Sequence, residues 1–162
     1  MNSNIHIRPI KKKDNKKIAT MIRTVLEEFK VPKQGTAYAD PHLDTLFETY
    51  TQDRSAYFIL EKEGEIIGGA GIMPLEESDH NSCELQKMYL TSSVRGIGLG
   101  AIMMKKCLNF AKNNEFDQCY LETLPYMKAA QVLYKKAGFR PLEKRIGNTG
   151  HFSCNVWMLK DV

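Results

Sequence analysis

The strongest constraint in the chain is the turn Arg95-Gly96-Ile97-Gly98-Leu99-Gly100, set between an apolar strand-like run and a long amphipathic stretch. Glycines let a backbone come close to a ligand and take turns closed to other residues. The stretch from about Gly98 to Asn113 has helical spacing, so the turn lies at a helix start. There the first N–H groups lack partners within the helix and carry the positive end of its dipole. Such a turn suits an anion, and Arg95 adds a cation able to donate to phosphate oxygens. These residues predict a phosphate or pyrophosphate site cradled by the backbone of Arg95 through Ala101.

The rest of the chain alternates strand and helix signals. Residues 4–10 alternate as a short strand that Pro9 confines to an edge or an end. Asp14 is placed to cap a helix whose face carries Ile18, Met21, Ile22, Val25, Leu26 and Phe29. Asp40-Pro41 predicts a second helix start, with Leu43, Leu46, Phe47 and Tyr50 on one face. Strand patterns cover residues 56–61, 65–73 and 83–90, the first two joined at Glu63-Gly64. After the helix at 98–113 come a strand at 116–123 and a helix at 126–137 that stops at Gly138. Runs at 139–142 and 152–159 are the last strands. The order β-α-α-β-β-β-α-β-α-β-β reads as one α/β domain over residues 1–162, with a mixed sheet of about seven strands flanked by four helices.

Composition narrows the function classes. With 162 residues, 43% hydrophobic and 26% charged, the chain can bury a real core. A net charge of +4 suits an anionic ligand but lacks the one-faced clustering of a nucleic-acid binder. The densest basic run, Lys11, Lys12, Lys13, Lys16 and Lys17, reads as a solvated helix start. No run approaches a membrane span, and MNSNIHIRPI lacks an apolar leader core, so a cytoplasmic location is expected. Cys83, Cys107, Cys119 and Cys154 are widely spaced and read as small buried hydrophobes. No C-x-x-C or H-x-x-x-H pair exists to seed a zinc site, and no metal is expected.

Three phosphate-loop readings compete. The nucleoside-triphosphate string G-x-x-x-x-G-K-[ST] is absent. The dinucleotide fingerprint is met by Gly96, Gly98 and Ala101, with Asp117 or Glu122 further on. However, five residues separate the strand end at Leu90 from Gly96, where a dinucleotide turn is tight. Only about 60 residues follow, too few for the remaining βαβ units of that fold. The third pattern is R-x-x-G-x-G, formed by Arg95, Gly98 and Gly100. It follows Glu84-Leu85-x-x-Met88-Tyr89-Leu90 and precedes Ala130-x-x-Leu133-Tyr134-x-x-x-Gly138-Phe139. In this order and spacing the chain resembles, over nearly its whole length, the GNAT superfamily of N-acetyltransferases.

The resemblance implies a single GNAT-like domain that moves the acetyl group of acetyl-CoA directly to a primary amine. Backbone groups of Met88 and Leu90 would pair with the pantetheine arm like an added strand. Amides from Arg95, Gly96, Ile97, Gly98, Leu99, Gly100 and Ala101 would hold the pyrophosphate. Tyr134 would sit near the thioester sulfur. One departure stands out: where the family often has asparagine, this chain has Met127, so a side-chain contact to pantetheine is not expected.

Acyl transfer to an amine needs a base, an oxyanion donor and an acid for the leaving thiolate. Glu84 is the expected base, its competing reading being a surface glutamate on a half-exposed strand. Tyr134 is the expected acid, against a packing role on an apolar helix face. The Met88 N–H is the expected oxyanion donor. None of the cysteines occupies a motif position, so transfer without an acetyl-enzyme is expected. His151 reads either as an acceptor-binding or second basic group, or as a polar turn residue. Gly68, Gly69 and Gly71 signal a bulge or close approach, for a ligand or for packing. The segment from Phe29 to Tyr50 is expected to shape the acceptor mouth; it has no dense acidic cluster, which disfavours polybasic acceptors. A small-molecule amine is therefore the expected acceptor. A protein N-terminus or lysine, or a non-catalytic CoA-binding module, are the alternatives. The sequence leaves open whether two copies pair as a homodimer through the last strands.

Overall fold

The computed structural model describes residues 4–162, so the first three residues of the leader reading lie outside it. Seven strands form one sheet: β1 (Ile5–Pro9), β2 (Ala56–Lys62), β3 (Glu65–Pro74), β4 (Ser82–Leu90), β5 (Gln118–Thr123), β6 (Arg140–Leu142) and β7 (Val156–Asp161). Their order across the sheet is β1-β2-β3-β4-β5-β7-β6. All neighbours run antiparallel except β4 and β5. Four α-helices cover it: α1 (Asn15–Glu28), α2 (Leu46–Thr49), α3 (Leu99–Asn113) and α4 (Lys128–Lys136). The element order is the one the sequence pattern predicts.

Period-two alternation divides the strands between two cores. On β2, Phe58 and Leu60 join the core under α3, with Met103, Met104 and Cys107. Tyr57 and Ile59 point the other way, to α1 and its Ile18, Ile22 and Leu26. With both faces covered, the central strands are apolar on both sides, as the parallel β4–β5 pair requires. Ile22 is fully buried, so truncating it to alanine should cost about 2–5 kcal/mol. All four cysteines are buried and free.

Three local expectations are corrected. Asp14 does not cap α1 through its side chain. Its carboxylate accepts the Lys11 N–H at 2.7 Å and a bidentate pair from Arg8 at 2.7 and 3.0 Å, fastening the helix start to β1. The second helix does not start at Pro41. Asp40 Oδ1 accepts the His42 N–H at 2.8 Å in a local turn, a short 3-10 turn spans Leu43–Thr45, and α2 is a single turn. Leu43, Leu46 and Tyr50 are buried all the same. Finally, residues 152–155 are not strand. Their partner would lie beyond Thr123, where β5 has ended ahead of Pro125, so the segment folds over the sheet as a loop.

The glycines of β3 serve packing. A Cβ on Gly71 would lie 2.7 Å from the Tyr57 ring and 2.8 Å from that of Tyr50. One on Gly69 would lie 2.6 Å from the Tyr57 hydroxyl. The two tyrosine rings sit 5.2 Å apart in the space those glycines vacate. The lysines at 11, 12, 13, 16 and 17 are exposed, as a solvated helix start implies.

Candidate active site

The site exists because β4 and β5 pair only at their beginnings. Ser82, Cys83 and Glu84 stand opposite Gln118, Cys119 and Tyr120, and no pairing continues beyond them. β5 goes on with β7 as far as Thr123, while β4 goes on with β3 as far as Leu90. A wedge therefore opens between the two strands. Thr91 N–H donates to Ile67 O at 2.9 Å, so alternate residues Leu90 and Met88 direct their backbone groups into the wedge.

A bulge in β4 sets the side-chain phase along the wedge. Gly71 faces Gln86 but Gly69 faces Tyr89, so Lys87 and Met88 together oppose Ala70. Lys87 has φ +49°. Its carbonyl accepts the buried Tyr57 hydroxyl at 2.8 Å, which holds the bulge in place.

At the outer end of the wedge lies the glycine turn. Gly96 and Gly98 have φ of +76° and +88°, and a Cβ on either would meet nothing within 4 Å. The first backbone bond at this end of α3 runs from Ile102 N–H to Gly98 O at 3.3 Å. The amides from Gly96 through Ala101 have no acceptor among the described residues, a row of free donors at a helix start. The Arg95 amide is not one of them, because it donates to Ser92 O at 3.4 Å. The Arg95 side chain is engaged elsewhere too. Nε and Nη2 donate to Leu90 O at 3.0 and 2.9 Å, Nη1 pairs with Glu28 at 2.5 Å, and the guanidinium stacks over Phe29. Leu90 O lost its partner where the strands parted, and Arg95 supplies one. Of the Leu90 backbone, the N–H is what remains for a ligand.

Inward, the wedge is lined by Met88, Met127, Ala130 and Tyr134 before it reaches Glu84. Met127 stands just before the first residue of α4, and Ala130 lies in its first turn. On the α1 side lies a chamber of about 560 Å³, open to solvent, whose walls include Asp40, His42, Met73, Thr149 and Phe152. Thr36, Glu84, Gln86, Lys87 and His151 line both spaces and form their junction.

The electrostatics of the junction follow from burial. Glu84 is only 3% exposed, so the surface reading of this residue is corrected. Burial, with the Glu122 carboxylate nearby, pushes its carboxyl up to about 8 despite Lys87. Burial, with Cys154 nearby, pushes the Tyr134 hydroxyl up to about 12. His151 is pushed down to about 4 by burial and by Lys87, so its imidazole is neutral. Burial raises Asp40, but the charge and hydrogen bond of Lys87 outweigh it and hold the carboxyl below its ordinary value.

Residues distant in sequence hold the chamber wall. The Glu122 side chain, 1% exposed, accepts Arg145 Nε at 2.9 Å, the Tyr120 hydroxyl at 2.7 Å and the Thr149 hydroxyl. Arg145 Nη2 then donates to the carbonyls of His151 and Cys154 at 3.1 and 3.0 Å. Ser153 closes the rim by bonding Gly35 O and Gln34 O at 3.0 and 2.8 Å. Sequence reasoning missed Lys87, Asp40, Glu122 and Arg145. Only Lys87 left a signal, being a lysine on the apolar phase of β4 after Cys83 and Leu85.

Residues 20–139, well over half of the chain, match the Acetyltransferase (GNAT) family. The chain belongs to that family. The GNAT assignment is supported by similarity to the uncharacterized N-acetyltransferase YjgM of Escherichia coli (strain K12), 41% identical over 150 residues, covering 92% of this chain and 90% of that protein. Solved structures share the GNAT fold. An acetyltransferase of Staphylococcus aureus Mu50 aligns with TM-score 0.83 at 19% identity, over 97% of this chain and 98% of that one. A phosphinothricin acetyltransferase of Sinorhizobium meliloti, solved with AcCoA, aligns with TM-score 0.76 at 18% identity, over 98% of this chain and 89% of that one. This GNAT protein is thus an acyltransferase, an N-acetyltransferase of a family that takes its acetyl group from acetyl-CoA. No helix among its described residues is long and apolar enough to cross a membrane.

Proposed function

We propose that the chain transfers the acetyl group of acetyl-CoA to the primary amine of a small molecule, with donor in the wedge and acceptor in the chamber. The observation that carries this reading is the junction: Glu84 lines both spaces, at the point where β4 and β5 part. The free amides from Gly96 through Ala101 and the open φ-positive glycines fit a pyrophosphate. The Met88 and Leu90 N–H groups, freed by the parting of the strands, fit the amide-bearing pantetheine arm. A chamber of about 560 Å³ is in the range of small-molecule sites.

When bound, acetyl-CoA supplies the acetyl group as a thioester. Glu84 takes a proton from the incoming ammonium, directly or through water; a carboxyl near 8 is well matched to an amine. The Met88 N–H, rigidly placed beside the bulge, stabilises negative charge on the reacting oxygen. Tyr134, neutral throughout the working pH range, keeps a proton to give to a departing thiolate. The buried cysteines stay out of the transfer: Cys107 and Cys154 are each pushed up to about 12 by burial, which leaves them poor nucleophiles.

The test is a thiol-release assay with acetyl-CoA against a broad panel of small amines and model peptides, with products identified by mass. Acetylated small amines are expected. Acetylation of peptides alone would move the acceptor to the protein class, and binding of acetyl-CoA with no transfer would leave a CoA-binding module.

A further inference from the structure

Lys87 is the only lysine or arginine among the described residues lining the chamber. Strict alternation along β4 would send it to the face of Cys83 and Leu85, among apolar side chains under α3. The bulge prevents this. Past it, Met88 and Leu90 take the α3 face, whereas Lys87 joins Glu84 and Gln86 on the chamber side. The chain thus adopts a left-handed residue to bring a cation beside its candidate base. The Lys87 side chain is 4% exposed, and its Nζ lies 2.7 Å from Asp40 Oδ2. An ammonium has three donors, and Asp40 is its partner among the described residues. That one contact leaves donor capacity on a nearly buried cation whose side chain lines a cavity that also holds a base.

We propose that Lys87 receives a carboxylate of the acceptor, so that the amine acetylated is that of a free α-amino acid. The arrangement fits a zwitterion: its amino group meets Glu84, the candidate proton acceptor, and its carboxylate completes the donor set of Lys87. Asp40 then holds the ammonium of Lys87 in place and keeps the chamber from being cationic when it is empty of substrate. This inference rests on the small-molecule reading above and narrows it.

The test compares standard L-amino acids with their amides and their decarboxylated amines, in wild type, Lys87→Met and Asp40→Asn. Wild type should favour an amino acid over its decarboxylated amine by about tenfold or more in kcat/KM, the worth of a charge-assisted hydrogen bond. Lys87→Met should erase that preference, chiefly through KM; any effect it has through Glu84 falls on both acceptor types alike and leaves their ratio near one. Asp40→Asn, which frees the ammonium of its partner, should preserve or increase the preference; it also carries the test should Lys87→Met not fold. Equal use of both acceptor types by wild type, or an equal loss for both in either variant, overturns the proposal. Turnover of amines without carboxylate preference refutes this inference alone. Normal acetyl-CoA binding with no turnover of any small amine refutes the small-molecule reading, and this inference with it.

Discussion

Glu84 stands opposite Tyr120 at the last point where β4 and β5 share a register. That pairing ends the closed sheet and begins the cleft, so the residue most suited to take a proton lies at the apex of the opening. Both faces of the sheet are covered there, and the buried carboxyl is pushed up to about 8. For wild type, kcat/KM should rise with pH and level off past an inflection near 8. Glu84→Gln should lose that inflection and about a hundredfold or more of the rate, with acetyl-CoA affinity unchanged by calorimetry. The stability sign is opposite. A carboxyl raised in the folded state contributes stability that is full below its unfolded value and fades as pH rises through about 8. Urea midpoints of wild type should therefore fall across that window relative to those of Glu84→Gln.

Tyr134 rests against Phe139, ring centroids 6.1 Å apart, and lines the wedge. Tyr134→Phe keeps the ring and removes only the proton. Steady-state rates should show kcat down by roughly tenfold to a hundredfold, with melting temperature and cofactor affinity close to wild type. A rate within a factor of about two of wild type would return this tyrosine to packing alone.

Gly98 has open space around its missing Cβ, so Gly98→Glu should fold, at a cost of about 1–2 kcal/mol for a left-handed side chain. The carboxylate would then stand where phosphate oxygens are expected. Titration calorimetry with CoA should show affinity reduced by about a hundredfold or more.

Gly71 is the opposite case. A methyl there would press on the Tyr57 and Tyr50 rings at 2.7 and 2.8 Å. Tyr57 holds the bulge through Lys87 O, and Tyr50 donates to Gln86 Oε1 at 2.5 Å. Gly71→Ala should destabilise the fold by about 1–3 kcal/mol, read from urea unfolding, and should also impair catalysis by shifting the bulge.

Much of this was legible in the residues. Periodicity placed every strand and helix in order, because burial on two faces leaves period-two and period-3.6 patterns that short-range reading detects. The glycine turn and the strand before it carried the resemblance to the GNAT superfamily. What escaped depended on partners far along the chain. Alternation puts Lys87 with Leu85; only the Tyr57 hydroxyl and the glycines of β3 reveal that the phase inverts there. Glu122 and Arg145 meet across 23 positions, with nothing local to either that announces the other. Residues 152–155 look extended, but their strand partner has already ended, a fact held in Pro125 rather than in the segment itself. Arg95 read as a phosphate ligand from its place beside the glycines, while the orphaned Leu90 carbonyl gave it another partner.

The central claim is that a parted pair of strands ends in a row of main-chain donors that grips a diphosphate. Amide chemical shifts measured while CoA is added test it most directly. The account predicts large downfield shifts of the Gly96 to Ala101 N–H signals, with smaller ones at Met88 and Leu90. Saturable binding of CoA that leaves those six amides unmoved would contradict it.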